Sequence, residues 1–452
     1  MDNKIGIRKW LTFILAGFVG QLAWAIENNY FNVYVYDCTD NYTFIKAMVI
    51  ASAAAATITT LLMGAVSDRF GKRKLFVSTG YILWGLSIIA FAFLDPSSSF
   101  NLVANSAFVA GTMIVIMDCV MTFFGSTAND AAFNAYVTDN TNDNNRAKVE
   151  SVLSVLPLLA LIIVIFIAGI FVDVKEGETK HWDIFFYIFG GITLLIGVLS
   201  IFLFPKDVSK PNKEENYFAS IIYGFRPKVI KQNPILYITL IAFMVFNIGL
   251  QVFMPYFILY VQNVLKITDL DFTISLGIVL LGASAITVVF GLFMDKIGKN
   301  KIMIPALIVG AIGGFAVFLV PAEQNFTQPG LIIGGIVLMT GYLVSTAVLG
   351  AKVRDYTPVN EVGLFQGVRM IFVVLIPMII GPIIGDAICH TQGSAEPDRF
   401  GQAVYPPNKW LFFVTAIVFL CAVAPVIWMI LTEKKNKKEI EIEEVENVST
   451  TE

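Results

Sequence analysis

Twelve apolar runs of about 20 residues follow one another through this chain, separated by short polar breaks. Coiled as an α-helix, a run of that length matches the roughly 30 Å hydrocarbon thickness of a bilayer. Backbone groups in lipid meet no water, so each crossing segment must satisfy its own hydrogen bonds and is a helix. The runs fall near 10–36, 43–67, 74–95, 103–128, 149–173 and 182–204, then 234–261, 272–294, 301–321, 329–351, 362–388 and 408–432. Composition agrees: of 452 residues 56% are hydrophobic and 14% charged, with mean hydropathy +0.74, where soluble domains carry about 25% charged residues. The fold class expected is an all-α membrane protein. A net charge of −3 gives no electrostatic ground for a nucleic-acid partner. Four cysteines (Cys38, Cys119, Cys389, Cys421) and two histidines (His181, His390) show no metal-ligand spacing, so neither a metal nor a resident cofactor is expected.

Lys and Arg placement sets the orientation. Twenty-four fall on the side that carries both chain ends and six on the other, with Arg369 inside a run. Both termini are therefore expected in the cytoplasm of a multi-pass plasma-membrane protein whose immediate partner is the lipid bilayer. The organisation read from these runs is a first six-helix half (1–204), a cytoplasmic central loop (205–233), a second half (234–432) and a tail (433–452). The tail passes from Lys434–Lys438 to Glu439–Glu446 and reads as disordered.

The halves repeat each other. Gly64-Ala-Val-Ser-Asp68-Arg69-Phe-Gly71-Lys72-Arg73-Lys74 follows the second run, and Gly291-Leu-Phe-Met-Asp295-Lys296-Ile-Gly298-Lys299-Asn-Lys301 follows the eighth, 227 residues on. Tyr30-Phe31-Asn-Val-Tyr34-Val35 matches Tyr256-Phe257-Ile-Leu-Tyr260-Val261 at an offset of 226. Six spans per unit keep both copies in one orientation, so the repeats are parallel. Solvated loops would explain the charges but not the paired glycines.

The pattern G-x-x-x-D-[RK]-x-G-[RK]-[RK]-[RK] resembles the signature loop of the major facilitator superfamily, and the resemblance covers the whole chain. It implies two parallel six-helix halves, a midplane site and transport by alternating access. Gly64, Asp68, Arg69, Gly71, Lys72 and Arg73, with Asp295 and Gly298, would form the gating loops. Asp68 would then lie near Glu361 to Phe365, and Asp295 near Val149 to Leu153. Two stretches resemble the glycoside–pentoside–hexuronide:cation symporters and the sucrose transporters. They are Gln21-Leu-Ala-Trp24-Ala25-Ile-Glu27, against Q-x-x-W-A-x-Q, and Ala135-Tyr-Val-Thr-Asp139 followed by Arg146. The aspartate pair that serves sodium in melibiose-type members is replaced by Ala56 and Thr60, which favours H⁺ over Na⁺ as the co-transported ion.

Ionisable groups inside spans are costly and mark function. Glu27, Asp118 and Arg369 are the candidates for proton or cation coupling. Polar residues at helical spacing add a candidate substrate surface. They are Gln21, Trp24, Asn28 and Asn32 in span one, Thr122 and Asn129 in span four, Asn247, Gln251 and Tyr256 in span seven, and Tyr342 in span ten. Spans one, four, seven and ten line the cavity in the resembled superfamily. Hydroxyls and amides there suit a sugar, and aromatic rings suit its faces; the same groups also glue helices together. The reading is a sugar or glycoside:cation symporter acting as a monomer, with a drug:proton antiporter on the same fold as the alternative. A membrane-embedded enzyme is the third reading. It lacks support, because no H-E-x-x-H, G-x-S-x-G or P-loop occurs in the chain.

Overall fold

A computed structural model describes residues 5–94, 107–141, 149, 152–153, 155–173, 179–205, 207, 223–267, 269–321, 327–358, 362–397 and 403–449. Among the described residues, eleven helices are long and apolar enough to cross a membrane. They are span 1 (Ile7–Thr39), span 2 (Thr43–Gly64), span 3 (Arg73–Phe91), span 4 (Phe108–Asp139) and span 6 (Trp182–Leu203), then span 7 (Pro234–Val264), span 8 (Asp271–Phe290), span 9 (Lys299–Phe318), span 10 (Thr327–Tyr356), span 11 (Gly367–Gln392) and span 12 (Trp410–Asn436). The shorter apolar helix Leu156–Phe171 stands as span 5. This is the helical architecture expected, in two sets of six.

Small residues let these helices approach closely, as packing in lipid requires. Spans 3 and 6 meet at Gly85, Gly190 and Gly197; a Cβ on Gly197 would fall 2.6 Å from the Ile82 amide. Spans 9 and 10 meet at Gly310, Gly313 and Gly341 in the same backbone-to-backbone manner. Among the described residues, three helices contain a wide turn with i→i+5 bonding, Ser126–Phe133 in span 4, Tyr260–Val264 in span 7 and Ile371–Leu375 in span 11. Such turns insert an extra residue and re-aim the side chains beyond it.

Three features depart from the expectation. Span 4 runs on to Asp139 rather than ending near 128, because the wide turn carries the helix through Asn129 and Asp130. The tail is helical, since the last helix runs Val423–Ser449. Its Lys- and Glu-rich composition, without Gly or Pro, consists largely of good helix formers. A short antiparallel ladder pairs β1 (Glu396–Pro397) with β2 (Ala403–Val404) between spans 11 and 12.

The repeated loops act as helix stops and as struts. Gly71 has φ 61°, and its N–H bonds the Ser67 carbonyl at 3.0 Å. Gly298 has φ 92°, a region that side chains avoid. Beyond the first turn, Arg73 Nε donates to Asp139 at the end of span 4 (3.2 Å) and its guanidinium also reaches the Ser67 hydroxyl. In the second copy Lys299 pairs with Asp355 at the end of span 10, at 2.7 Å. Both loops thus tie themselves to the fourth helix of their own half. The expected placements of Asp68 and Asp295 rest on side chains outside the described residues.

At the end opposite the termini the halves are bonded to each other. Lys46 of span 2 pairs with Asp386 of span 11 at 2.5 Å. Asp173, two residues past the end of span 5, accepts hydrogen bonds from Tyr30 of span 1 (2.9 Å) and Gln262 of span 7 (2.5 Å). Asn263 reaches the Tyr42 hydroxyl at 3.5 Å. Burial pushes the Asp173 carboxyl up to about 6, against the two hydrogen bonds and the Lys180 charge.

Candidate functional site

A cavity of about 350 Å³ lies where the halves face each other. Its wall comes from spans 1, 2, 4, 7, 10 and 11, and it is large enough for a small organic solute. Span 1 contributes Glu27, Asn28 and Asn32, and span 4 contributes Asp118. Asn247 and Gln251 come from span 7 and Tyr342 from span 10. Met48, Met254 and Met378 supply a soft apolar surface between them. Among the described wall residues there is no Lys, Arg or His.

Each polar group is placed by a local bond. Asn28 donates to the Trp24 carbonyl (2.8 Å) and Asn32 to the Asn28 carbonyl (3.4 Å), so both amides fold along span 1. Asn247 donates across to the Val373 carbonyl at 2.9 Å, a group in the wide turn of span 11. The re-aimed turn thus offers a carbonyl to the opposite helix. The Asn32 Oδ1 atom is buried without a hydrogen-bond partner.

The two carboxyls form the electrostatic centre. Glu27 is 8% exposed and Asp118 1%. Thr122 donates to Glu27 Oε1 at 2.8 Å, which ties span 4 to span 1. Glu27 Oε2 and Asp118 Oδ1 are buried and have no hydrogen-bond partner. Two buried carboxyls on one cavity wall, with no cation among its described residues, make the ionised pair costly.

The structure separates the candidate residues into groups. It brings Glu27, Asp118, Asn28, Asn32, Asn247, Gln251 and Tyr342 to one cavity. Five others, Gln21, Trp24, Thr122, Asn129 and Tyr256, are not among the described residues of that wall. Thr122 is fully buried behind Glu27. Trp24 packs on Trp84 with ring centroids 5.0 Å apart. Asn129 accepts from the Tyr81 hydroxyl at 3.1 Å. Tyr256 is wholly buried and donates to the Pro382 carbonyl at 3.3 Å. Helical spacing gives a polar face but does not separate the side turned to the cavity from the sides turned to spans 1, 3 and 11. Arg369 lies apart from the carboxyls, in a separate cavity of about 220 Å³ with Arg354, Thr357 and Phe365.

Sequence reasoning passed over Asp130, Asp173 and the Lys46–Asp386 pair. Asp130 was legible in principle, because Asp118, Thr122, Ser126 and Asp130 recur every four residues. Asp173 and Lys46 sit at span ends, where charged residues are ordinary and carry no signal.

The sequence profile of the Major Facilitator Superfamily matches residues 10–342 and 252–452. A protein of Staphylococcus aureus (strain COL), named as a putative proline/betaine transporter, is 22% identical over 376 residues, covering 76% of this chain and 74% of its own. Multidrug resistance protein 2 of Bacillus subtilis (strain 168) is 24% identical over 281 residues, 59% of this chain and 62% of its own. Among solved structures, the nucleoside transporter NupG superposes with a TM-score of 0.69 at 13% identity, covering 94% of this chain and 99% of that one. The xylose transporter XylE from E. coli gives 0.65 at 14% identity, covering 93% and 98%. These structural likenesses show the fold alone.

Proposed function

The chain belongs to the Major Facilitator Superfamily, whose members are secondary transporters working by alternating access, and on that premise we propose that it couples H⁺ to the movement of a sugar or glycoside. The observation that carries the coupling is the pair of buried carboxyls, Glu27 and Asp118, with free oxygens in a cavity wall that has no basic residue among those described. The sugar assignment is supported by the amides and hydroxyl at Asn28, Asn32, Asn247, Gln251 and Tyr342, and by the sucrose-transporter-like stretch Gln21 to Glu27. In this reading the end bearing the termini is cytoplasmic, and the bonded far end is closed to the outside.

A proton taken from outside neutralises the acid pair, solute binds the neutral amide-lined cavity, and the halves rock over it. Opening to the cytoplasm rehydrates the acids and releases the proton. Arg369 does not line the cavity of the pair in this state; it shares a separate one with Arg354. A second reading, exchange of a cationic drug for H⁺, is favoured by the same unpartnered oxygens, which an organic cation would satisfy as a proton does.

Uptake into proteoliposomes separates the readings. The panel is labelled sugars and glycosides, a nucleoside, proline, glycine betaine and a lipophilic cation, under imposed H⁺ or Na⁺ gradients. Accumulation of a sugar or glycoside driven by an inward H⁺ gradient is the expected result. Accumulation driven by Na⁺ alone, or of none of the sugars, overturns the proposal, and proton release on adding the cation supports exchange instead.

A further inference from the structure

Span 4 carries another acid in the protein interior, partly buried, which the solute cavity does not use. Asp130 lies twelve residues beyond Asp118, about 18 Å along the helix at 1.5 Å per residue, toward the end with the termini. Glu27 and Asp118 line the cavity, whereas Asp130 is absent from its wall. Between the acids stand Thr122 and Ser126, each four residues from the last and both fully buried. Steps of four residues drift around a regular α-helix, because a turn holds 3.6. The wide turn that begins at Ser126 holds more residues per revolution, so it offsets the drift and keeps Asp130 beneath Ser126.

Polar groups recur along this face inside the first half, with the Ser126 hydroxyl buried and without a hydrogen-bond partner between the two acids. Thr122 bonds Glu27 Oε1 at 2.8 Å. Asn129 Nδ2 donates to Asp130 Oδ1 at 3.2 Å, and Asn129 Oδ1 accepts from Tyr81 of span 3 at 3.1 Å. Glu27 and Trp24 face Asp130 from span 1, Tyr81 from span 3, and Ser126 and Asn129 from its own helix. Gly20 is needed opposite Asn129, since a Cβ there would strike its amide. Nine residues further on, at the end of span 4, Asp139 meets Arg73 of the signature loop at 3.2 Å. At the other end, Glu27 Oε2 and Asp118 Oδ1 are buried oxygens without partners.

We propose that Asp130 is the proton-release relay, so that the coupling proton leaves along the inner face of span 4 while the solute leaves through the cavity. A proton on Glu27 or Asp118 breaks its O–H bond and passes by the Thr122 and Ser126 hydroxyls. It then forms an O–H bond on the Asp130 carboxylate, which hands it to water beside the Asp139–Arg73 pair. Each hydroxyl takes up the arriving proton as it gives up its own, so its O–H bond is exchanged and it ends as it began. The inference rests on the reading of Glu27 and Asp118 as the proton site.

The test needs no solute. Purified full-length protein in lipid nanodiscs is given an alkaline pH jump, and time-resolved infrared difference spectroscopy follows loss of the protonated-carboxyl bands, assigned with Glu27→Gln and Asp118→Asn. Asp130→Asn is expected to slow that loss at least tenfold, with small weak acids such as azide restoring it. Asp130→Glu should stay within threefold of the parent, and Ser126→Ala should slow it several-fold. If Asp130→Asn fails to fold, judged by its thermal midpoint and elution profile, Asp130→Glu and Ser126→Ala decide between the outcomes. An unchanged rate in Asp130→Asn, or in a folded Ser126→Ala, overturns the relay and leaves the proton site standing. Bands that neither Glu27→Gln nor Asp118→Asn alters would remove the proton site itself.

Discussion

Asp173 sets a pH dependence on the contact between the halves. Its carboxyl is held near 6 in the folded protein against an ordinary value of 3.8, chiefly by burial. The folded state therefore binds the proton more tightly than the unfolded one. Its stability contribution is greatest below about 4 and is lost as pH rises through 6. The thermal midpoint of the wild type should fall between pH 4 and 7 by more than that of Asp173→Asn, and a parallel pair of curves would contradict this. Backbone conformation makes a second residue-scale prediction. Gly71→Ala places a Cβ at φ 61° and should destabilise by about 1 kcal/mol, read from denaturation in detergent. Glu27 and Asp118 were legible as residues because a carboxyl inside a span is costly. The role of Gly71 as a helix stop was implicit in its place after an apolar run. Asp173 was not legible, because nothing in sequence tells a buried acid at a span end from a solvated one.

At the scale of helices, periodicity and length located the spans to within a few residues at most ends, since hydrocarbon thickness constrains both. The wide turns escaped detection. A residue inserted into a helix leaves no mark in composition, yet it carries span 4 through Asp130 and turns the Val373 carbonyl toward Asn247. Asn129 lies inside the wide turn of span 4, so a stripe drawn on regular 3.6-residue turns misplaces it, whereas Thr122 precedes that turn and is held back by its bond to Glu27. Close helix approach yields a prediction here. Gly85→Leu at the contact of spans 3 and 6 adds a side chain where backbone atoms of Gly190 and Leu194 already sit. It should cost about 1–3 kcal/mol as overpacking does, or more if the helices separate. Gly277→Leu, with open space around its Cβ position, serves as the control and should be near neutral.

For the whole molecule, the internal repeat was the most informative feature of the sequence, because two matches at nearly one offset required two similarly oriented halves. Which end they close was not legible, since it depends on pairs such as Lys46–Asp386 that join residues 340 apart. Breaking that pair should favour opening at the far end. Lys46→Ala is expected to raise the labelling rate of a cysteine at Asn28 by an impermeant maleimide several-fold. The exchanged pair Lys46→Asp with Asp386→Lys should bring it back down. The central claim is that the acid pair of the cavity binds the coupling proton. It is tested most directly by comparing Asp118→Asn and Glu27→Gln with wild type in proteoliposomes, measuring H⁺-driven uptake and solute exchange side by side on the substrate found in the panel. The account predicts that Asp118→Asn loses gradient-driven accumulation while exchange persists, and full proton-driven accumulation by both variants would contradict it.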